Sequence, residues 1–88
     1  MRIERIREIS DIANRYLSDH IGDAVSAETP RQEGENSVWT ASILCNTEYG
    51  YLRCGFLQID SSGNVIAAPS REELVSTIRR LKQKLADA

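Results

Sequence analysis

His20 is the only histidine in the chain and the first residue to consider for acid-base catalysis or metal binding at neutral pH. Asp19 and Asp23 lie close to it in the sequence and could add carboxylates to such a site. On a helix, however, His20 falls within an apolar stripe while the two aspartates project from its opposite edge, so the three side chains do not converge on one ion. We expect a histidine that is packed or partly exposed near a helix end, and no metal or cofactor.

Cys45 and Cys54 could form a disulfide or a redox-active pair of thiols. They lie on either side of a predicted hairpin, in which Cys45 pairs near Tyr51 and Cys54 lies roughly opposite Ser42. This offset of roughly three residues is about 10 Å along a strand, which exceeds the usual Cα separation of a disulfide. We expect the two cysteines to be small buried hydrophobic residues instead.

Four of the five aromatic residues lie within eighteen residues around the same hairpin: Trp39, Tyr49, Tyr51 and Phe56. Such a cluster could stack on a nucleobase or another planar ligand, as on the sheets of single-strand-binding proteins. Those sites also carry Lys and Arg, whereas this hairpin carries only Arg53. Core packing and cross-strand pairing of the rings are therefore favoured, with Tyr49 in the loop as the exposed member.

Other motifs for catalysis or metal binding are not matched. The segment 60–64 has oxygen-bearing side chains near a glycine, but position twelve of a calcium loop starting at Asp60 would be Arg71 instead of Glu. No serine lies in a G-x-S-x-G context, and no glycine-rich phosphate loop precedes a helix. We expect a hairpin turn at 60–64 and a protein that is not an enzyme.

The length and composition of the chain describe one small domain over residues 1–88. It has 88 residues, 41% apolar and 27% charged, with 11 Lys and Arg against 13 Asp and Glu, a formal net charge of −2. Generic nucleic-acid binding is disfavoured because it requires concentrated positive charge. No stretch approaches the roughly 20 apolar residues of a membrane span, and the charged N-terminal residues do not form the apolar region of a signal peptide. We therefore expect a cytoplasmic protein that binds neither nucleic acid nor membrane.

A first amphipathic helix is predicted near the start of the sequence. The apolar residues between positions 3 and 24 form one stripe about 140° wide, a width suited to packing on a sheet. Gly22 is placed where a helix commonly ends in a left-handed conformation. The helix is therefore predicted to cover Ile3 to His20 or Ile21.

A second helix is predicted near the end of the sequence. Ser70 and Glu73 have the spacing of a capping box, in which each side chain satisfies a free backbone donor of the other, so the helix begins at Arg71. Its apolar residues recur at spacings of four, three and four and form a narrow leucine seam: Leu74, Ile78, Leu81 and Leu85.

Three strands are predicted between the helices. Residues 37–45 alternate in hydrophobicity, with one face carrying Trp39, Ala41, Ile43 and Cys45. A five-residue connection at 46–50 leads to a second strand at 51–60, and the turn at 60–64 leads to a third at 65–68. The order of elements is therefore α-β-β-β-α.

The second strand has an irregular alternation. Strict alternation divides its apolar residues between two faces, with Leu52, Cys54 and Phe56 on one and Leu57 and Ile59 on the other. Either a bulge at Gly55 changes the facing of the later residues, or the strand is central and apolar on both faces. The sequence leaves both alternatives open.

These elements predict a two-layer α+β fold, in which two helices cover one face of an antiparallel meander. A further short strand is possible at 24–27, before or at the start of a polar loop at 26–36. A chain of this length buries only about 60 to 65% of the surface that its unfolded state exposes, so a dimer would supplement a thin core.

Two classes of function fit this organisation. The first is a protein-interaction or self-associating module, a possible homodimer, which would use the leucine seam or an unpaired sheet edge. The second is a small-ligand-binding domain using the aromatic hairpin at 39–56, with a concave pocket between sheet and helices reached by Trp39, Tyr51 or Arg53. The residues expected to take part in interactions are Leu74, Ile78, Leu81, Leu85, Tyr49, Tyr51 and Arg53.

Overall fold

Helices from the two ends of the chain pack on one face of an antiparallel sheet, as the sequence predicts. The computed structural model describes residues 3–22, 24–32 and 37–87. The elements are α1 (Ile3–His20), β1 (Val25–Ala27), β2 (Arg31–Gln32), β3 (Trp39–Thr47), β4 (Gly50–Ile59), β5 (Val65–Ala67) and α2 (Arg71–Ala86). The predicted α+β class and the α-β-β-β-α order are confirmed, with β1 and β2 as additional short strands.

One edge of the sheet is formed by β1 and β2, which pair one after the other with β3. β1 confirms the strand considered at 24–27, whereas β2 lies within the predicted loop 26–36, where Gln32 pairs with Trp39. Both residues of β2 are polar and exposed, so no alternation of hydrophobicity marks them as a strand. Residues 33–36 of the predicted loop lie outside the described residues.

The hairpin between β3 and β4 turns more tightly than predicted. Thr47 pairs with Gly50, so the turn consists of Glu48 and Tyr49 instead of a five-residue connection at 46–50. Thr47 Oγ1 accepts a hydrogen bond from the Tyr49 N–H (3.1 Å) and donates one to the Gly50 carbonyl (2.8 Å). Gly50 has a φ of +96°, which glycine adopts without steric penalty. The polar residues Asn46 and Thr47 at the end of β3 are therefore paired with β4 instead of belonging to the loop.

A β-bulge lies in the middle of β4. Ile43 pairs with Gly55, and the next residue of β3, Leu44, pairs with Arg53. This register leaves Cys54 as an extra residue in β4. The bulge alternative is therefore confirmed, with the extra residue one position before Gly55.

The bulge decides which side chains of β4 reach the core. Beyond it, Leu57 and Ile59 are fully buried beneath the helices. Phe56, which strict alternation places on the same face as Cys54, turns instead to the opposite face and is 57% exposed. On β3 the predicted alternation is confirmed, since one face is buried throughout: Trp39, Ala41, Ile43 and Cys45.

The core lies between this sheet face and the two helices. α1 contributes Ile9, Ala13 and Leu17, and α2 contributes one fully buried residue, Leu74. A β-carbon on Gly55 would lie 3.4 Å from Leu74 Cδ2. The start of α2 therefore packs closely over Gly55 in the bulged strand.

The ends of the helices follow the predicted local rules. Ser70 Oγ accepts a hydrogen bond from the Glu73 N–H (3.1 Å), and the Ser70 N–H donates to Glu73 Oε1 (3.2 Å), which is the expected capping box. At the end of α1, Gly22 has a φ of +139° and its N–H donates to the Leu17 carbonyl (2.9 Å). The predicted turn at 60–64 joins β4 to β5.

Candidate interaction surface

The sheet face that points away from the helices, here called the outer face, carries large exposed aromatic side chains. Tyr51 pairs with Asn46 and Phe56 with Ser42, and the two aromatic residues are 67% and 57% exposed. Ile66, in the adjacent strand β5, is 52% exposed. Burial of an aromatic side chain is one of the largest single contributions to an interface, so this face is well suited to binding.

An ion pair occupies the outer face between these aromatic residues and the β1–β2 edge. Arg53 Nε lies 2.6 Å from Glu28 Oε1, and Arg53 Nη2 donates to Glu28 Oε2 at 3.2 Å, a two-pronged contact. The hydrogen bond from Arg53 lowers the pKa of the Glu28 carboxyl, and the same bond raises the pKa of Arg53. The only charged residue of β4 therefore has its charge balanced within the chain.

One side of β4 is largely unpaired among the described strands. β5 pairs only with Gln58 and Ile59, so residues 50–57 have no strand beside them on that side in the described part of the chain. We call residues 50–57 the open edge. It spans about 27 Å, and alternate residues direct backbone N–H and C=O groups outward, where they can pair with another strand.

A groove runs along the open edge, starting where β5 ends. Its volume is about 350 Å³. The strand contributes residues 54–56, the chain leaving β5 contributes residues 67–69, and α2 contributes Glu73 and Thr77. Pro69 has no N–H to donate, which suits the point where the chain leaves the sheet. The groove thus lies beside the open edge, between the end of β5 and the start of α2.

A second cleft, of about 450 Å³, lies between the hairpin turn and α2. Tyr49 and Ile78 both line it, so the structure brings together these two predicted interaction residues. Lys82 Nζ lies 3.3 Å from Glu48 Oε1 and links the helix to the turn. Val75, which the sequence did not single out, is exposed in the same cleft.

The leucine seam of α2 changes from buried to exposed along its length. Leu74 is 1% exposed and lies in the core, so it is not available to a partner. Ile78 and Leu81 are half-buried, and Leu85 is 41% exposed. The regular spacing of the four residues did not reveal how differently they are buried.

The predicted residues of the hairpin do not share one face of the sheet. Tyr51 and Arg53 point away from the helices, and Trp39 is buried in the core. The concave pocket expected between sheet and helices is therefore not reached by these three residues. The prediction that the aromatic residues pack in the core is confirmed for Trp39 but is wrong for Tyr51 and Phe56, which are exposed. Tyr49 is exposed, as predicted.

The residues first considered for chemistry have ordinary surroundings. His20 is exposed, and its ring centroid lies 4.2 Å from that of Tyr16. Cys45 and Cys54 are buried and not bonded to each other. Burial, followed by the nearby Cys45, raises the pKa of Cys54 to about 11, which disfavours the nucleophilic thiolate.

Comparison with known proteins adds no relative: no family model, no curated protein and no solved structure matches this chain significantly. Among the described helices, none is both long enough and apolar enough to cross a membrane.

Proposed function

We propose that this domain is a non-enzymatic protein-interaction module, and that it binds through the outer face and the open edge of β4. The exposure of Tyr51 and Phe56 on a sheet face is the observation that carries this proposal. Covering the exposed parts of two aromatic side chains would remove on the order of 200 Å² of apolar surface from water. At about 25 cal/mol per Å², this is a gross gain of roughly 5 kcal/mol before the costs of association.

The chemistry of the surface favours a protein partner. Arg53 is the only cation of the open edge, and its guanidinium is already bound by Glu28. A nucleic-acid partner would require unpaired positive charge to neutralise phosphates, and the whole chain has a formal net charge of −2.

We propose the cytoplasm as the compartment, because two buried free thiols suit a reducing environment.

Site-specific photo-crosslinking in the host cell tests this proposal. We expect a benzophenone side chain in place of Phe56 to give discrete protein adducts, to the same chain or to another protein. The matched control places the same group at Arg7, an exposed position of α1. Adducts that are equally abundant at both positions, or absent from both, would show that the outer face is not an interaction surface.

A further inference from the structure

The chain exposes more surface than its mass predicts. Its accessible area is 6161 Å², whereas a folded monomer of 9.9 kDa exposes about 5200 Å². Its radius of gyration is 13.6 Å, against about 12 Å for a typical domain of this length. The chain is therefore less compact than a typical folded monomer of its mass.

The flank of α2 beside the open edge has opposite charges at its two ends. Residues spaced by four, three and four lie on one flank of a helix: Glu73, Thr77, Arg80 and Lys84. Glu73 and Thr77 line the groove at the open edge, and Arg80 Nη2 lies 3.4 Å from Thr77 Oγ1. The flank is therefore acidic at Glu73 and basic at Arg80 and Lys84.

This charge pattern is complementary to itself in an antiparallel arrangement. If two such helices are related by a two-fold axis near Thr77, Glu73 of each copy faces Arg80 and Lys84 of the other. A parallel arrangement would instead place like charges together. α2 is about 24 Å long and the open edge about 27 Å, so the helix and the strand can contact a partner over the same length.

From the open edge and the self-complementary charges of this flank, we infer that the partner is a second copy of the chain. The two open edges pair as antiparallel strands, the sheets join into one, and the flanks of the two α2 helices face each other. This inference rests on the proposed function and names its partner. The symmetric dimer uses the same surface on both copies, which is the commonest arrangement among soluble oligomers.

A charge exchange between two variants tests the inference by sedimentation equilibrium. We expect two variants, Arg80→Glu/Lys84→Glu and Glu73→Lys, each to weaken self-association by about tenfold or more. In either variant, position 73 of each copy faces like charges at positions 80 and 84 of the other copy, and the symmetry of the dimer repeats this repulsion at two places. Mixed in equal amounts, the two variants should associate with each other, since every contact then joins opposite charges. Thermal unfolding of each variant establishes that it is folded.

Two controls separate the charge effect from other causes. Arg79→Glu lies in the cleft at the hairpin turn, away from the flank, and should leave self-association unchanged. Glu73→Gln keeps a capping-box side chain at this position and removes only its charge. A mixture that associates no better than its components, or a wild-type chain that is monomeric at high micromolar concentration, would overturn the inference.

Hydrogen exchange locates the contact independently. We expect the amides of the open edge that are not bonded to β3 to become more protected as the protein concentration rises, while the amides of β1 do not change. A dimer without this protection uses another surface, and the inference is then wrong. A monomer whose position 56 still crosslinks to a different protein would overturn the inference but leave the proposed function standing.

Discussion

Leu74 packs directly on Gly55: its Cδ2 atom lies 3.4 Å from the position of a β-carbon on that glycine. Pro69 Cγ lies 3.5 Å from the same position and Ile43 Cδ1 3.9 Å. The start of α2 is therefore seated on the one residue of the bulged region that has no side chain.

Substitution of Gly55 tests this contact. Gly55→Ala should fit, because its β-carbon would make ordinary van der Waals contacts, and should stabilise the fold by about 0.4 to 1 kcal/mol by restricting the unfolded chain. Gly55→Val adds two methyl groups against Leu74 and should lower the free energy of unfolding by about 1 to 3 kcal/mol. Urea unfolding measures both, and equal effects of the two substitutions would contradict the close packing.

The leucine seam should divide into one core residue and one surface residue. Leu74→Ala leaves a cavity in the core and should destabilise the fold by about 2 to 5 kcal/mol. Leu85→Ala, the matched control on the same helix, should change stability by less than about 0.5 kcal/mol because its side chain is 41% exposed. If Leu85→Ala were as damaging as Leu74→Ala, the end of α2 would be packed as tightly as its start.

Cys54 should be unreactive while the protein is folded. With a pKa of about 11, only about one thiol in a thousand is ionised at pH 8, and its side chain is buried as well. Labelling with iodoacetamide should therefore require opening of the fold, so it should be slow in the native protein and become rapid in urea. Mass spectrometry of the peptide containing Cys54 measures this; immediate labelling of the native protein would show that the bulge is open to solvent.

The turn at 60–64 should make stability depend on acid pH. The backbone N–H groups of Ser62 and Asn64 both donate to Asp60 Oδ1 at 2.9 Å. The hydrogen bond from the Asn64 backbone is the largest cause that lowers the pKa of Asp60 in the folded protein. The stabilising contribution is therefore present above the ordinary carboxyl pKa and is lost as the pH falls through the lower folded value.

Asp60→Asn provides the comparison for this pH dependence. The amide retains an acceptor oxygen but does not titrate, so the variant should lose less stability on acidification than the wild type. Thermal midpoints measured from about pH 6 to about pH 2 cover the titration of carboxyl groups. Parallel curves for the two proteins would show that Asp60 does not contribute to the acid sensitivity.

Features set by a few neighbouring residues were predictable from the sequence. The capping box of Ser70 and Glu73 and the end of α1 at Gly22 depend only on local hydrogen bonds and backbone conformation. The buried face of β3 followed from simple alternation. The overall α+β order follows because these local signals agree with one another.

Features that depend on pairing between distant residues were not predictable in detail. The extra residue at Cys54 is defined only by its register against Ile43 and Leu44, so the sequence could not choose between a bulge and a strand buried on both faces. β2 is polar and is a strand only because it lies beside β3. The exposed outer face could not be predicted for the same reason, because the exposure of Phe56 follows from the bulge.

The bulge in β4 also restricts which strands can bind there. Side chains before and after Cys54 are out of phase, so a regular strand laid on the open edge can match the faces of one half but not of both. A second copy carries the same bulge, so its inward- and outward-facing side chains can match those of the first copy along the whole open edge. An unrelated regular strand cannot match the facing on both sides of the bulge. This mismatch opposes the non-specific strand pairing and aggregation to which an exposed strand edge is otherwise prone.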